Sequence, residues 1–365
     1  MKTAIFGGSF NPVHKEHVNI VCSAKRELGL DRIIVVPSAV TPNKYGRITA
    51  SGEHRLKMCR LAFDGVAEVS DYEIAKGGIS YSYQTCEEFA KRFAGDKLYF
   101  IVGADMFENF PAWKYPQRIL DKATLAVCAR EKPFKAQAPF EFEQFSYVGA
   151  KVSSTKIRTL FALGESAGDS VAPAVADYVE RNGVYRLEYI GKLKSMLTPE
   201  RWAHTVRVAV MSAENCLRFG IAENKAITAS VLHDCAKYLA RGSDELKGFI
   251  FPDCVPGSVM HQYTGAYVAE RLFGINDCDV LNAIKYHTSG RPDMSPLEKL
   301  IYLCDLLEEG RSSEGIEKLR RAFEKGLDEA MYEALDHQLK YLKNTGEHVY
   351  PLTVRAYEFI KEKNK

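Results

Sequence analysis

The sequence predicts an α/β doubly wound parallel sheet followed by an all-α domain. Three observations carry that prediction. Apolar strand-like runs (Thr3–Phe6, Arg32–Val36, Leu98–Val102, Thr124–Ala129, Tyr147–Gly149) alternate with helical patterns (Glu16–Leu28, His54–Phe63, Thr85–Arg92). Such alternation marks βαβ units and hence a parallel sheet of the Rossmann kind. Beyond about Gly191 the strand patterns cease and helical patterns follow one another. A chain of 365 residues is long enough for two domains of ordinary size. We expect domains at 1–188 and 192–365, abutting across a short linker around Tyr189–Ser195.

The first element holds the densest chemical signal. The strand Thr3–Phe6 runs into Gly7, Gly8, Ser9 and Phe10, Pro12 breaks the chain, and a helix opens with His14 and His17 on one face of its first turn. Glycines let backbone approach a ligand closely, and a helix start presents unpaired N–H groups and the positive end of a dipole. Two imidazoles added there make an anion site suited to a triphosphate. Further on, Ser153 and Ser154 precede a helix start that can hold another phosphate, with Arg158 on its first turns. Lys44 sits on a proline-flanked loop able to close over the site. No G-x-G-x-x-G follows the first strand, which argues against a dehydrogenase.

The second half opens with Thr198-Pro199-Glu200, an N-cap with proline at the first helical position, and Ser295-Pro296-Leu297-Glu298 is a capping box. Across these helices run His204, His233, Asp234, His261, His287 and Asp305. The His-Asp pair lies in an apolar helical stretch, Ala229–Leu239, where charge is costly unless paired or metal-bound. Four imidazoles and two carboxylates form a mixed N/O set suited to iron, manganese or similar ions. Lys237, one turn beyond His233, is placed for a phosphate or a neighbouring carboxylate. His261 alone reads equally as an ordinary polar residue, His337 and His348 as surface residues, and the charged run Arg311–Lys325 as a solvated helix face.

Composition excludes several classes. The chain is 46% hydrophobic and 26% charged with a net charge of +2, so nothing draws it strongly to nucleic acid or membrane. Its nine cysteines are scattered without a C-x-x-C pair, as expected of reduced thiols in the cytoplasm. No apolar run is long enough to span a bilayer, and the N-terminus reads as a strand, not a signal peptide. Oligomeric state is not legible.

The first half resembles the nucleotidyltransferase superfamily, most closely the bacterial nicotinate-mononucleotide adenylyltransferases. Six further stretches match in order: Pro37–Lys44, His54–Met58, Ser80–Thr85, Gly103–Asp105 with Trp113, Val152–Arg158 and Tyr178–Tyr185. The resemblance implies adenylyl transfer from ATP to nicotinate mononucleotide, with Mg²⁺ on the phosphates. It implies catalytic roles for His14, His17, Lys44 and Arg158, and nucleotide contacts from Gly7, Gly8, Ser9, Phe10, Asp105, Ser153, Ser154 and Thr155. Thr85 and Trp113 would meet the nicotinate. Trp113 also reads as a core aromatic, and Arg158 as a solvated charge. Departures are Glu16 in place of the usual Gly, whose side chain must then point away from the nucleotide, Gln84 for Asp, and Asn43 for His. Transfer to another acceptor such as phosphopantetheine is the alternative.

The order H…HD…H…H…D resembles the HD superfamily of metal-dependent phosphohydrolases, and its flanks are similar to the hydrolases that split diadenosine tetraphosphate symmetrically. This implies one ion on His204, His233, Asp234 and Asp305, and a second on His261 and His287 with Asp234 bridging. Asp234 would also be catalytic. The substrate would be a dinucleoside polyphosphate. The alternative is a nucleotide-sensing module that regulates the first half.

Overall fold

The computed structural model describes residues 1–40, 48–130, 138–150 and 152–363. Their contacts form two compact units, the first holding residues 1–40 and those described within 49–185, the second Ile48 and residues 186–363.

The first unit is built on strands β1 (Lys2–Gly8), β2 (Arg32–Pro37), β3 (Glu68–Val69), β4 (Lys97–Gly103), β5 (Thr124–Arg130) and β6 (Phe142–Tyr147). They form a parallel sheet in the order β3-β2-β1-β4-β5-β6. The helices of this unit are α1 (Lys15–Glu27), α2 (Gly52–Ala62), α3 (Tyr72–Lys76), α4 (Ser82–Arg92), α5 (Ala104–Glu108), α6 (Pro116–Leu120), α7 (Ser154–Ala162) and α8 (Pro173–Arg181). Both sheet faces are covered, which is why the strands read as near-continuous apolar runs. Phe6, Val35, Ile101 and Ala126 turn to one core, with Val21, Met58, Ile157 and Val175. Ile5, Val36, Phe100 and Val127 turn to the other, with Cys86, Phe107 and Ile119. The strand expected at Tyr147–Gly149 lies earlier, ending at Tyr147. Its half-polar sequence FEQFSY, with only Phe145 and Tyr147 buried, hides an edge strand from an apolar-run search. The two-residue β3 is too short to leave a pattern.

The second unit contains α9 (Ile190–Ser195), α10 (Pro199–Asn215), α11 (Glu223–Leu232), α12 (Gly257–Phe273), α13 (Cys278–Tyr286), α14 (Pro296–Leu307), α15 (Ile316–Lys325), α16 (Leu327–Thr345) and α17 (Pro351–Lys363). The stretch expected as a linker is thus largely helix α9. Thr198 Oγ1 caps α10 by accepting from the Arg201 N–H, and Ser295 with Glu298 forms the capping box of α14. Around the His-Asp pair, α11 packs on α10, α13 and α14. The helix expected over Ala229–Leu239 stops at Leu232, and His233 and Asp234 lie in tight turns just past its end. There the His233 imidazole bonds the Ser230 carbonyl at 2.6 Å, and backbone bonds tighten to the i→i+3 kind at Cys235 and Lys237. Close packing fixes Gly265 of α12, where a Cβ would stand 3.3 Å from the His233 carbonyl. Among the described residues no helix is long and apolar enough to cross a membrane.

Candidate active sites

The strand order places a reversal at β1 and β4, and in such sheets ligands bind beyond the carboxyl ends of the strands at that point. The loop after β1 supplies His14 as the extended N-cap of α1 (φ −140°) and His17 in its first turn. Their rings stack at 3.7 Å. The His14 backbone N–H donates to His17 Nδ1 at 3.1 Å, so a neutral His17 carries its proton on Nε2 and is a donor there. Phe10 supports the His17 ring edge-on at 5.0 Å. Burial pushes His14 down to about 4, so it is neutral at physiological pH. Gly8 permits this packing, since a Cβ there would lie 3.0 Å from the Phe10 ring.

Two buried guanidinium groups hold the loop. Arg55 donates to the carbonyls of Ser9 (2.8 Å), Ala39 (2.9 Å) and Ala50 (3.1 Å). Arg158 Nη1 donates to the Asn11 carbonyl at 2.8 Å, and Nη2 to Thr155 Oγ1 at 3.0 Å. The Asn11 side chain in turn accepts from the Ala50 N–H (3.0 Å) and the Tyr185 hydroxyl (2.8 Å). Arg158 is therefore not a solvated helix charge: it is buried and ties α7 to the loop that carries the histidines.

The other expected residues are placed as follows. Asp105 is exposed in the first turn of α5, straight after β4. Trp113 is half-buried against Phe110 (5.4 Å) and Phe100 (6.2 Å). Ser153 Oγ caps α7 by accepting from the Lys156 N–H, and Ser154 and Thr155 form its first turn. Thr85 is buried in α4, its hydroxyl donating to Glu73 Oε1 at 2.5 Å. Lys44 lies outside the described residues. Glu16 is buried, and its carboxylate stands over Gly149, where a Cβ would come within 1.8 Å of Oε2.

In the second unit His204 (α10), His261 (α12) and Asp305 (α14) project from helices, whereas His233, Asp234 and His287 sit at or past helix ends. All six converge. Ligand atoms of His204, His233 and Asp305 lie within 4.8 Å of one another, as do those of Asp234, His261 and His287. Asp234 joins the groups: Oδ2 is 3.4 Å from His233 Nε2, and Oδ1 is 3.4 and 3.6 Å from His261 and His287 Nε2. His204 Nε2 stands 2.9 Å from Asp305 Oδ1.

This set fits a metal centre. A carbonyl can only accept, so His233 and His287 hold their protons on Nδ1 against Ser230 (2.6 Å) and Ile284 (2.7 Å) and turn the Nε2 lone pair inward. Glu308 Oε1 orients His204 in the same way, 3.1 Å from Nδ1. His233 Nε2 and Asp234 Oδ1 are buried with no hydrogen-bond partner, an arrangement that is costly unless an ion takes them up. Burial alone would raise both aspartates. Protons on the facing imidazoles, His233 and His287 toward Asp234 and His204 and His233 toward Asp305, instead hold them well below the ordinary carboxylate range, and a bound cation would supply that positive charge with the rings neutral. Burial, with His287 and Lys237 nearby, pushes His261 down to about 3, the neutral ligand form.

Sequence reading named Lys237 beside the site and missed the other surrounding charges. Arg201 Nη1 is 3.0 Å from Asp234 Oδ2, and Arg311 Nη2 is 3.0 Å from Asp305 Oδ1. Arg311 thus reaches the site although its side chain is exposed, and Ile316, Leu319 and Phe323 of the same charged run are buried. Lys237 Nζ lies 3.7 Å from Asp234 Oδ1 and 3.0 Å from His261 Nε2. Glu308, buried yet fixed by Arg207, His204 and the Gly310 N–H, is held at about 2. The signals were there: Arg201 lies three residues before His204 and Glu308 three after Asp305, the spacing of one helix face.

Residues 5–160 match the Cytidylyltransferase-like family and residues 201–310 the HD domain. A protein of Mycoplasma genitalium named "Probable nicotinate-nucleotide adenylyltransferase/Ap4A hydrolase" is 29% identical over 327 residues, 86% of this chain and 89% of that protein. The Bacillus subtilis "Bis(5'-nucleosyl)-tetraphosphatase, symmetrical" is 35% identical over 182 residues, 48% of this chain and 97% of its own length. A "Probable nicotinate-nucleotide adenylyltransferase" of Clostridium tetani is 34% identical over 198 residues, 51% of this chain and 99% of its own length. The chain therefore belongs to the nicotinate-nucleotide adenylyltransferase family in its first half and to the HD-domain symmetrical tetraphosphatase family in its second.

Proposed function

We propose that this chain is a bifunctional nucleotide enzyme, with an adenylyltransferase at about 1–188 and a phosphohydrolase at about 192–365. The first site joins nicotinate mononucleotide to ATP, giving deamido-NAD and pyrophosphate. A phosphate oxygen of the mononucleotide attacks the α-phosphorus, and pyrophosphate leaves. Such transfer needs positioning and neutralised charge more than a nucleophilic side chain. Neutral His17, a donor at Nε2, suits an α-phosphate whose charge grows in the transition state. Arg55 and Arg158 act through the loop, keeping His14 and His17 aimed. ATP arrives with Mg²⁺ on its phosphates.

The second site hydrolyses diadenosine tetraphosphate at its central anhydride, consuming one water and giving two ADP. His204, His233, Asp234 and Asp305 would hold one ion, and Asp234, His261 and His287 a second. Iron or manganese suits this N/O set and supplies Lewis acidity and an acidified water. Arg201, Lys237 and Arg311 add positive charge around the cluster for the polyphosphate. The convergence of buried His233 Nε2 and Asp234 Oδ1, neither of them hydrogen-bonded, carries this reading. Chromatography of the reaction with diadenosine tetraphosphate tests it: ADP alone is expected. ATP with AMP would refute central cleavage, and no turnover with iron or manganese would favour the sensing alternative.

A further inference from the structure

The ligand-binding end of the sheet has two sides. α1 and α7 pack in the core that holds Val21 and Ile157, so His14, His17 and the Ser153-capped start of α7 lie on one side. α4, α5 and α6 pack in the other core, with Cys86, Phe107 and Ile119. α4 leads into β4 of a parallel sheet, so its first residues lie at the carboxyl end of the strands. An in-line transfer brings the attacking oxygen in opposite the leaving one. With the ATP phosphates at the starts of α1 and α7, the acceptor belongs on the α4 side.

A buried carboxylate organises that side. Glu73 of α3 is 8% exposed. It accepts from Thr85 Oγ1, in the first turn of α4, at 2.5 Å, and the Ser80 hydroxyl bonds it as well. A hydroxyl has one proton, so both groups are oriented by Glu73. Ser80 Oγ in turn accepts from the Ala39 N–H at 3.0 Å, and the Ser80 N–H donates to the Val40 carbonyl at 3.1 Å. The stretch before α4 is thereby joined to the stretch after β2. Arg55 carries the connection further, from the Ala39 carbonyl (2.9 Å) to the Ser9 carbonyl (2.8 Å). One line of hydrogen bonds runs from α4 through Glu73, Ser80, Ala39 and Arg55 to the loop that ends at His14. Two separate sides of the site are thus tied through a single buried carboxylate.

We infer that Glu73 is a positioning residue for adenylyl transfer, holding the start of α4, where nicotinate mononucleotide docks, in fixed relation to the histidine loop. The inference rests on the adenylyltransferase reading of the first site. Glu73 acts through Thr85 and Ser80, not on the substrate itself. The acceptor nucleotide depends on it, and ATP, held from the α1 and α7 side, does not.

The test uses the full chain. Glu73→Ala removes the acceptor of both hydroxyls. It should raise the KM for nicotinate mononucleotide about tenfold or more, the scale of one lost bond to a buried charge, and leave the KM for ATP within about twofold. The Kd for nicotinate mononucleotide alone, from titration calorimetry, should rise by the same factor. Glu73→Gln keeps an acceptor at Oε1 and should restore most of both. Thr85→Val deletes the partner hydroxyl at nearly the same shape and should repeat the loss, which keeps the test open if Glu73→Ala does not fold. Binding that follows this series without any deamido-NAD formation would uphold the inference while sinking the adenylyltransferase reading. Equal rises in both KM values, a lower Tm with both KM values unchanged, or a parent chain that does not bind nicotinate mononucleotide would overturn the inference.

Discussion

Arg158→Met separates a loop clamp from a phosphate ligand. The side chain is 3% exposed, and its Nη1 donates to the Asn11 carbonyl at 2.8 Å. Methionine keeps most of the apolar stem and deletes the donors. A buried bond from a charged donor contributes about 1.5–3 kcal/mol, and a carbonyl that loses a buried donor costs about 1–3 kcal/mol. For a unit of this size each kcal/mol shifts Tm by about 2–4 °C, so the first unit should melt roughly 3–10 °C lower. His14 lies three residues after Asn11, so the loosened loop misplaces both imidazoles. A displacement of about 1 Å costs on the order of 10²-fold in rate. Calorimetry and steady-state deamido-NAD formation should therefore show a lower Tm and a lower kcat together. An unchanged Tm with only a raised KM for ATP would show that Arg158 works as a phosphate ligand, and the clamp argument would fail.

Other consequences are as definite. His17→Ala should slow adenylyl transfer by about 10²-fold or more, the scale of one lost transition-state donor, and leave nucleotide hydrolysis intact; a changed KM with kcat preserved would contradict this. His14 titrates at about 4 when folded against an ordinary 6.5, so between those values the unfolded chain binds more protons. Stability is then fully present above pH 6.5 and falls as pH drops toward 4, by about 3 kcal/mol. His14→Gln should flatten that part of a Tm–pH curve, and parallel curves would refute the assignment. Glu308→Gln removes the carboxylate that orients His204 and should weaken metal binding by about 10–100-fold in chelator competition. Parental affinity would show that His204 needs no such support.

Much of this was legible in the sequence because it is local. The β1 loop announces itself in consecutive residues, and the alternating patterns yield the sheet. What stayed hidden depends on partners far along the chain. Arg158 is 147 residues from Asn11, and Arg55 is 46 from Ser9, so nothing local shows that both converge on one loop. The six histidine and aspartate residues were visible by type and order, yet the helix end at Leu232 was not. A His233–Ser230 bond competes with the helix there, and apolar periodicity carries no trace of it. The bond from the Thr85 hydroxyl to Glu73 spans 12 residues and likewise leaves no mark in the local sequence.

The account's central claim is that two independent chemistries share this chain. Its most direct test assays Asp234→Ala and His17→Ala, each in the full chain, for deamido-NAD formation, ADP release from diadenosine tetraphosphate and bound metal. Asp234→Ala should lose metal and hydrolysis while adenylyl transfer persists, because Asp234 joins both halves of the cluster. His17→Ala should do the reverse. Loss of both activities in either variant, or hydrolysis that survives Asp234→Ala, would contradict the account.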